Sequence, residues 1–200
     1  MSDNMQDTNG VLVQGHIKIF DPETNKVYIN KRNAIHYENM SIALAESLSN
    51  AGQGFIYEMS FGNGGTSVDP TGIITYLTPN STGTNASLYN QTYTKVVDDR
   101  SVNNTDPARN RLETRHVSGT NYTDIVVSCL LDYGEPNGQD AFDTASASDS
   151  PYVFDELGLR SYSPTGPGRL ITHVIFHPVQ KSLNRLIQID YTVRVQSLAG

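Results

Sequence analysis

The sequence predicts a mainly β fold, an antiparallel β-sandwich-like domain with one short α-helix and long loops. Three observations lead there. Period-two alternation of apolar and polar residues recurs along the chain, clearest in Ile187, Ile189, Tyr191, Val193 and Val195 with Gln188, Asp190, Thr192 and Arg194 opposite. The neutral polar residues number 18 Ser, 18 Thr and 17 Asn, over a quarter of the 200-residue chain. Thr favours pleated surfaces, and Asn and Ser favour turns. Only one stretch carries a convincing 3.6-residue period.

Taken in order, Val11, Val13, Gly15, Ile17 and Ile19 alternate with Leu12, Gln14, His16 and Lys18, and Lys26–Asn30 returns after the turn residues 21–25. Residues 11–30 therefore read as a β-hairpin. Residues 1–10 read as a flexible N-terminal arm, and 11–200 as a single β-rich domain. The helix follows: Asn39, Met40 and Ser41 offer the start, Met40, Leu44 and Leu48 a stripe widened by Ile42 and Ala45, and Ser49–Gly52 the stop. Further strands are expected at Phe55–Ser60, Ile73–Leu77, Thr92–Val97, Leu112–Ser118, Tyr122–Leu131, Leu170–His177 and Arg185–Val195. The run Ile125–Leu131 is continuously apolar, as a strand buried on both faces should be. Residues 78–91 and 132–151 form two long connections. Loops of that length are functional or disordered in compact domains, and both are expected to order on a neighbouring subunit.

Composition excludes several classes. One cysteine, Cys129, leaves no intramolecular disulfide and no cysteine-rich zinc module. No run approaches 18 apolar residues, so no membrane helix is expected. The opening Met1–Asp7 is polar and acidic, unlike a secretory leader. A formal charge of −7 argues against direct binding of nucleic acid through its phosphates.

Catalytic and metal motifs are weak throughout. Gly62-Asn63-Gly64-Gly65-Thr66 lacks the Lys-Ser/Thr ending of a phosphate loop and precedes Asp69-Pro70, so a tight turn needing positive φ is preferred. His173 and His177 would share a strand face about 13 Å apart, too far for one metal. The carboxylates Asp98, Asp99, Asp132, Glu135, Asp140, Asp143, Asp149, Asp155 and Glu156 form no evident catalytic pair. Residues 132–143 lack EF-hand spacing, though a weak calcium site stays open. Cys129 lies mid-strand and reads as structural. The chain is expected to be no enzyme and to need no cofactor or metal.

Two stretches carry a resemblance. Gly15–Asp21, Asn33–Ala45 with its N-A-I-H-x-x-N-M segment, and Met59–Thr66 resemble virion structural proteins of tailed bacteriophages. Phe154–Leu159, Leu170–Val179 and the Ile189–Val195 strand are similar to the nE-hGL … G-x-L … Y-h-h pattern (h apolar) of tail-collar and tail-fibre attachment domains. Together they cover about half the chain, while 67–151 lies outside both. The resemblance implies a structural subunit located in the virion and assembled in the host cytoplasm. Its partners would be identical subunits in a symmetric ring and other virion proteins (portal, tail-terminator or fibre proteins) at a neck or collar. A baseplate or tail-fibre attachment protein is the alternative, and a carbohydrate-binding β-sandwich the more distant one. Within these stretches Asn39, Met40, Phe61, Asn63, Phe154, Glu156, Leu157, Gly158 and Leu159 are the candidate subunit-interface residues. Glu156 is expected to cap a turn or pair with Arg160 or Arg185, and Gly158 to admit another backbone. Eleven Tyr and no Trp suit either an interface or half-buried strands.

Overall fold

The computed structural model describes residues 10–136 and 152–198. The first hairpin forms as its alternation requires, from β1 (Gly10–Phe20) and β2 (Val27–Ile35). Asp21 fastens its turn by accepting from the Glu23 and Thr24 N–H groups at 2.9 and 3.1 Å. Gly10, assigned to the flexible arm, already pairs with Leu198; residues 1–9 of that arm lie outside the described residues.

The helix α1 (Tyr37–Leu48) starts earlier than expected. Its N-cap is His36, whose Nδ1 accepts from the Asn39 N–H at 3.2 Å, not Asn39 or Ser41. The early start rotates the buried stripe to Asn39, Met40 and Ala43, which leaves Leu48 and Ala45 exposed. The stop lies where expected, with Asn50 and Gly52 at φ 54° and 71°.

The remaining strands are β3 (Ile56–Gly62), β4 (Thr66–Val68), β5 (Ile74–Tyr76), β6 (Gln91–Val96), β7 (Arg111–His116), β8 (Tyr122–Leu131), β9 (Tyr152–Ser161), β10 (Thr172–Lys181) and β11 (Ile187–Leu198). Nine of the eleven strands form one antiparallel sheet in the order β6-β3-β9-β10-β2-β1-β11-β8-β7, and β4-β5 form a separate hairpin. The β10–β2 junction is only Thr172↔Ile35 and His173↔Ala34. There the sheet curls into two layers, β6-β3-β9-β10 and β2-β1-β11-β8-β7, around one core. Lys95 of β6 reaches across to the Leu130 carbonyl of β8 at 2.7 Å. The mainly β, sandwich-like class read from the sequence is thus the observed architecture.

Ile17, Ile19, Val127, Cys129, Leu131, Ile189 and Tyr191 fill the core from one layer, and Met59, Phe61, Leu157, Leu159, Val174 and Phe176 from the other. Phe154 stacks on Tyr152 and meets Phe61 and Phe176 edge-on, with centroids 5.5–5.8 Å apart. Ile125, Val126 and Ser128 of β8 are only half-buried, so burial on both faces is confined to the Cys129–Leu131 end.

Strand β9 is the exception to alternation: its residues are buried on both faces from Phe154 to Ser161. Its polar face carries Glu156, Gly158 and Arg160, and residues 80–90 lie across it with Leu88 buried. Gly158 admits its neighbours closely: a Cβ there would stand 2.5 Å from Leu170 Cδ1, 2.6 Å from the Thr172 carbonyl oxygen and 3.3 Å from Leu88 Cδ2 of the covering segment. Gly158→Ala is therefore expected to cost about 1–3 kcal/mol, read as a lowered urea midpoint with an unchanged m-value.

Candidate functional site

The outer face of β9 and β10 carries a buried polar node. Glu156 accepts from the Gly64 and Asn90 N–H groups through Oε1, at 3.1 and 2.7 Å. Through Oε2 it accepts from the Tyr89 N–H at 2.9 Å and faces His173 Nε2 at 3.0 Å. His173 Nδ1 accepts from the Asn80 N–H at 2.8 Å. That bond fixes the tautomer: Nδ1 carries no hydrogen, so Nε2–H donates to Glu156. Next to it, Asp155 accepts from the Gly65 and Thr66 N–H groups, both at 2.9 Å, and from the Thr66 hydroxyl.

The electrostatics follow from these partners. Burial alone would push the Glu156 carboxyl up, but the His173 bond and three backbone N–H groups outweigh it and hold the group below its ordinary value. Asp155 goes the other way: burial dominates, and its Thr66 and backbone bonds offset it only in part. Glu156 thus enters the folded state ionised with its lone pairs engaged. Such a group is an anchor, not a general acid or base. Its carboxylate caps the bends at 63–65 and 89–90 through those N–H groups, and among the described residues its side-chain partner is His173, not Arg160 or Arg185.

What the node anchors is the surface. Glu156 and His173 pin the 78–91 connection at Asn80, Tyr89 and Asn90. Ser87 accepts from Arg160 at 2.6 Å, and the Gly83 N–H donates to Glu38 at 3.1 Å. This long loop is therefore fixed on the chain's own sheet and needs no neighbour to order it. The other connection is described only to Pro136; its residues 137–151 lie outside the described residues.

Asp155 fixes the root of a projecting arm, the β4–β5 hairpin. At its tip Asp69 Oδ1 accepts from the Thr71 N–H (2.8 Å), the Thr71 hydroxyl (2.6 Å) and the Ile73 N–H (3.0 Å). The hydrogen bonds from Thr71 and from the backbone hold the Asp69 carboxyl below its ordinary value. Val68 and Ile73 are 62% and 63% exposed, with Tyr76 and Leu77 beside them. Asp69 is the one charged residue within 66–77. Gly62, Gly64 and Gly65 at the root do not supply the positive φ expected of them. They admit close packing: a Cβ on Gly64 would lie 2.7 Å from the Asn90 nitrogen, and one on Gly62 2.5 Å from Glu156.

The nine candidate interface residues are placed mostly inside the chain. Phe61, Phe154, Leu157 and Leu159 belong to the core, and Met40 packs against it. Glu156 and Gly158 lie under the 80–90 segment, and Asn39 is buried with its side-chain N–H donating to the Leu170 carbonyl at 2.9 Å. Asn63 alone is half-exposed, beside the arm root, where its Oδ1 accepts from Asn90 at 2.6 Å. The residues sequence reading missed are Asp155 as the arm's anchor and the exposed apolar side chains on its two faces, Val68 and Tyr76 on one and Ile73 and Leu77 on the other. The turn residues Asp69-Pro70-Thr71-Gly72 between two β-branched runs were the available signal.

His173 and His177 do not share a face. The β9–β10 register shifts between Ile175 and Val179, at a bulge that accommodates Pro178. His173 is buried, and His177 is exposed with Nδ1 3.2 Å from the Tyr76 hydroxyl. Among the described residues no group of three or more His, Cys, Asp or Glu side chains is placed to hold a metal; 137–143 of the calcium expectation lie outside them. Cys129 is fully buried, and burial pushes its thiol up to about 12. Tyr93, Tyr152 and Tyr191 are core residues, whereas Tyr37, Tyr76, Tyr89 and Tyr133 are exposed.

A second polar cluster closes the β6–β8–β10 end. Lys95 bonds the Leu130 carbonyl and Glu135, and Lys181 donates to the Asp132 and Ser182 carbonyls at 2.9 and 3.0 Å. Burial lowers Lys181 to about 8, against the raising pull of Glu135 and Asp132. A lysine depressed in the folded state leaves the unfolded chain holding more protons above that value, so stability rises as pH climbs. Between pH 8 and roughly 9.5, before tyrosines titrate, this rise is expected in urea unfolding and should vanish in Lys181→Met.

No protein-family model, curated protein or solved structure matches this chain.

Proposed function

We propose that the chain is a non-enzymatic structural subunit of a tailed-phage particle, assembling as a symmetric ring at the neck or collar. One observation carries the reading. The two stretches that resemble phage virion proteins, far apart in sequence, supply most of β1, α1, β3, β9, β10 and β11 and the end of β2, and β3-β9-β10-β2-β1-β11 are consecutive in the sheet. The segment outside the resemblance, 67–151, supplies most of the arm, the 78–91 connection, β8 and the sheet-edge strands. A shared scaffold with a private surface is what members of one particle-building class would differ by.

The arm supplies the contact. A hairpin that exposes apolar side chains on both faces, Val68 and Tyr76 on one and Ile73 and Leu77 on the other, seeks cover, and a ring closes by a heterologous contact in which each copy offers its arm to the next. The described residues include no helix long and apolar enough to cross a membrane, and the acidic charge suits a position outside the DNA path. Neighbours would be portal or tail-terminator proteins. A baseplate or fibre-attachment position uses the same arm on different partners. Sedimentation velocity of the purified chain across a concentration series tests the reading: one closed oligomer of fixed stoichiometry is expected, and a monomer at every concentration contradicts ring formation.

A further inference from the structure

Arg160 is buried, at 4% exposure, and among the described residues no carboxylate lies within ion-pair reach of it. Its Nε donates to Ser60 Oγ at 3.1 Å, Nη1 to the Gly168 carbonyl at 2.8 Å, and Nη2 to Ser87 Oγ and Gln91 Oε1 at 2.6 and 2.9 Å. All four acceptors are neutral. Glu58 stands opposite on β3 in register, without a contact short enough for an ion pair. Burial pushes its carboxyl up and the Arg160 charge pulls it down only in part, so Glu58 reaches Arg160 through its field and not through a contact. A guanidinium taken out of water without a contacting anion carries a large desolvation penalty. Natural sites hold such charges where an anion arrives.

The same guanidinium lines a cleft of about 580 Å3 between the 84–87 segment and residues 160–169. Its walls carry hydroxyl and amide groups from Thr84, Asn85, Ser87, Ser163 and Thr165, with Ile42, Tyr162 and Pro167 beside them and Arg169 as a second cation. Arg169 is held by both oxygens of Glu46 at 2.9 Å. The volume is that of a small-ligand site.

We propose that this cleft binds an acidic saccharide, a hexuronate-type unit whose carboxylate meets Arg160 while the Ser, Thr and Asn side chains bond its hydroxyls. The oxyanion fixes the ligand by a charge-assisted bond, and the hydroxylated body accounts for the polar walls. The site is independent of the arm and of any ring, so it stands or falls separately from the particle reading.

Titration calorimetry with sodium glucuronate, glucose and inorganic phosphate tests it. Saturable glucuronate binding is expected, at least tenfold tighter than glucose or phosphate. Thr165→Trp, at an exposed position on the cleft wall, should abolish it while the Tm holds. Arg160→Lys should weaken it at least tenfold if that variant folds; the Thr165 variant decides the matter if it does not. Glucose binding equal to glucuronate overturns the role of Arg160, and phosphate binding as tight as glucuronate overturns the saccharide. Absence of saturation with every probe, or binding that survives Thr165→Trp, overturns the site.

Discussion

Glu156→Ala is expected to destabilise the chain by about 3–5 kcal/mol, the largest single-residue effect among polar positions. Four donors lose their acceptor at once: the N–H groups of Gly64, Tyr89 and Asn90, and His173 Nε2–H. His173 is buried and the three backbone bonds are partly so, though Tyr89 and Asn90 are themselves exposed; an unsatisfied buried donor costs about 1–3 kcal/mol, with water recovering part of the sum. Glutamine is no rescue. Both oxygens of Glu156 accept, so in either orientation the amide NH2 faces donors; Glu156→Gln should still lose about 2–4 kcal/mol. The pH dependence has a definite sign. A carboxyl held below its unfolded value contributes stability above the ordinary glutamate range and loses it as pH falls through the folded pKa. Acid unfolding of Glu156→Gln should therefore be flatter than that of the parent. Urea unfolding at pH 7 and pH 4 reads both, and a loss below about 1 kcal/mol at pH 7 contradicts the anchor.

The second large effect concerns the arm. Ile73→Asp places a carboxylate among the exposed apolar side chains on one face of the hairpin, and Val68→Asp does the same on the other. Folding of the subunit should be unchanged within about 0.5 kcal/mol, as expected for exposed substitutions. Burying an unpaired carboxylate at a subunit contact costs about 3 kcal/mol or more, roughly a hundredfold in affinity. Sedimentation of the variant should then show monomer where the parent forms its oligomer. Asp155→Asn is the companion: it leaves the arm's exposed apolar side chains intact but removes the carboxylate from its root. It should speed amide exchange at Gly65 and Thr66 and weaken assembly. Assembly unchanged by Ile73→Asp contradicts the arm as the contact.

How much of this was legible in the sequence depended on whether a residue's partner lay nearby. The alternation in β11 and the continuous run in β8 mark strands directly, because one strand's burial is written in its own period. The Asn50 and Gly52 stop is local backbone chemistry and was equally readable. Strand β9 was not read as a strand. Asp155, Glu156 and Arg160 break its apolar run, and the cover that buries them comes from 80–90, some seventy residues earlier. The helix start was misplaced for a related reason: His36 serves as N-cap through Nδ1, a role more usual for Ser, Asp or Asn. The node itself joins residues 64–66, 80–90, 155–156 and 173, and no spacing rule connects them. Phe154, Leu157 and Leu159 looked like contact residues because an apolar, glycine-containing motif fits a core and an interface equally well. Here they are core.

The central claim is a place in a phage particle, and antibody-gold electron microscopy on purified particles of the source virus tests it most directly. Label at the head–tail junction is the predicted result, with label at the distal tip moving the ring to the baseplate or fibre attachment. No label on intact, opened or tail-separated particles contradicts the structural-subunit account.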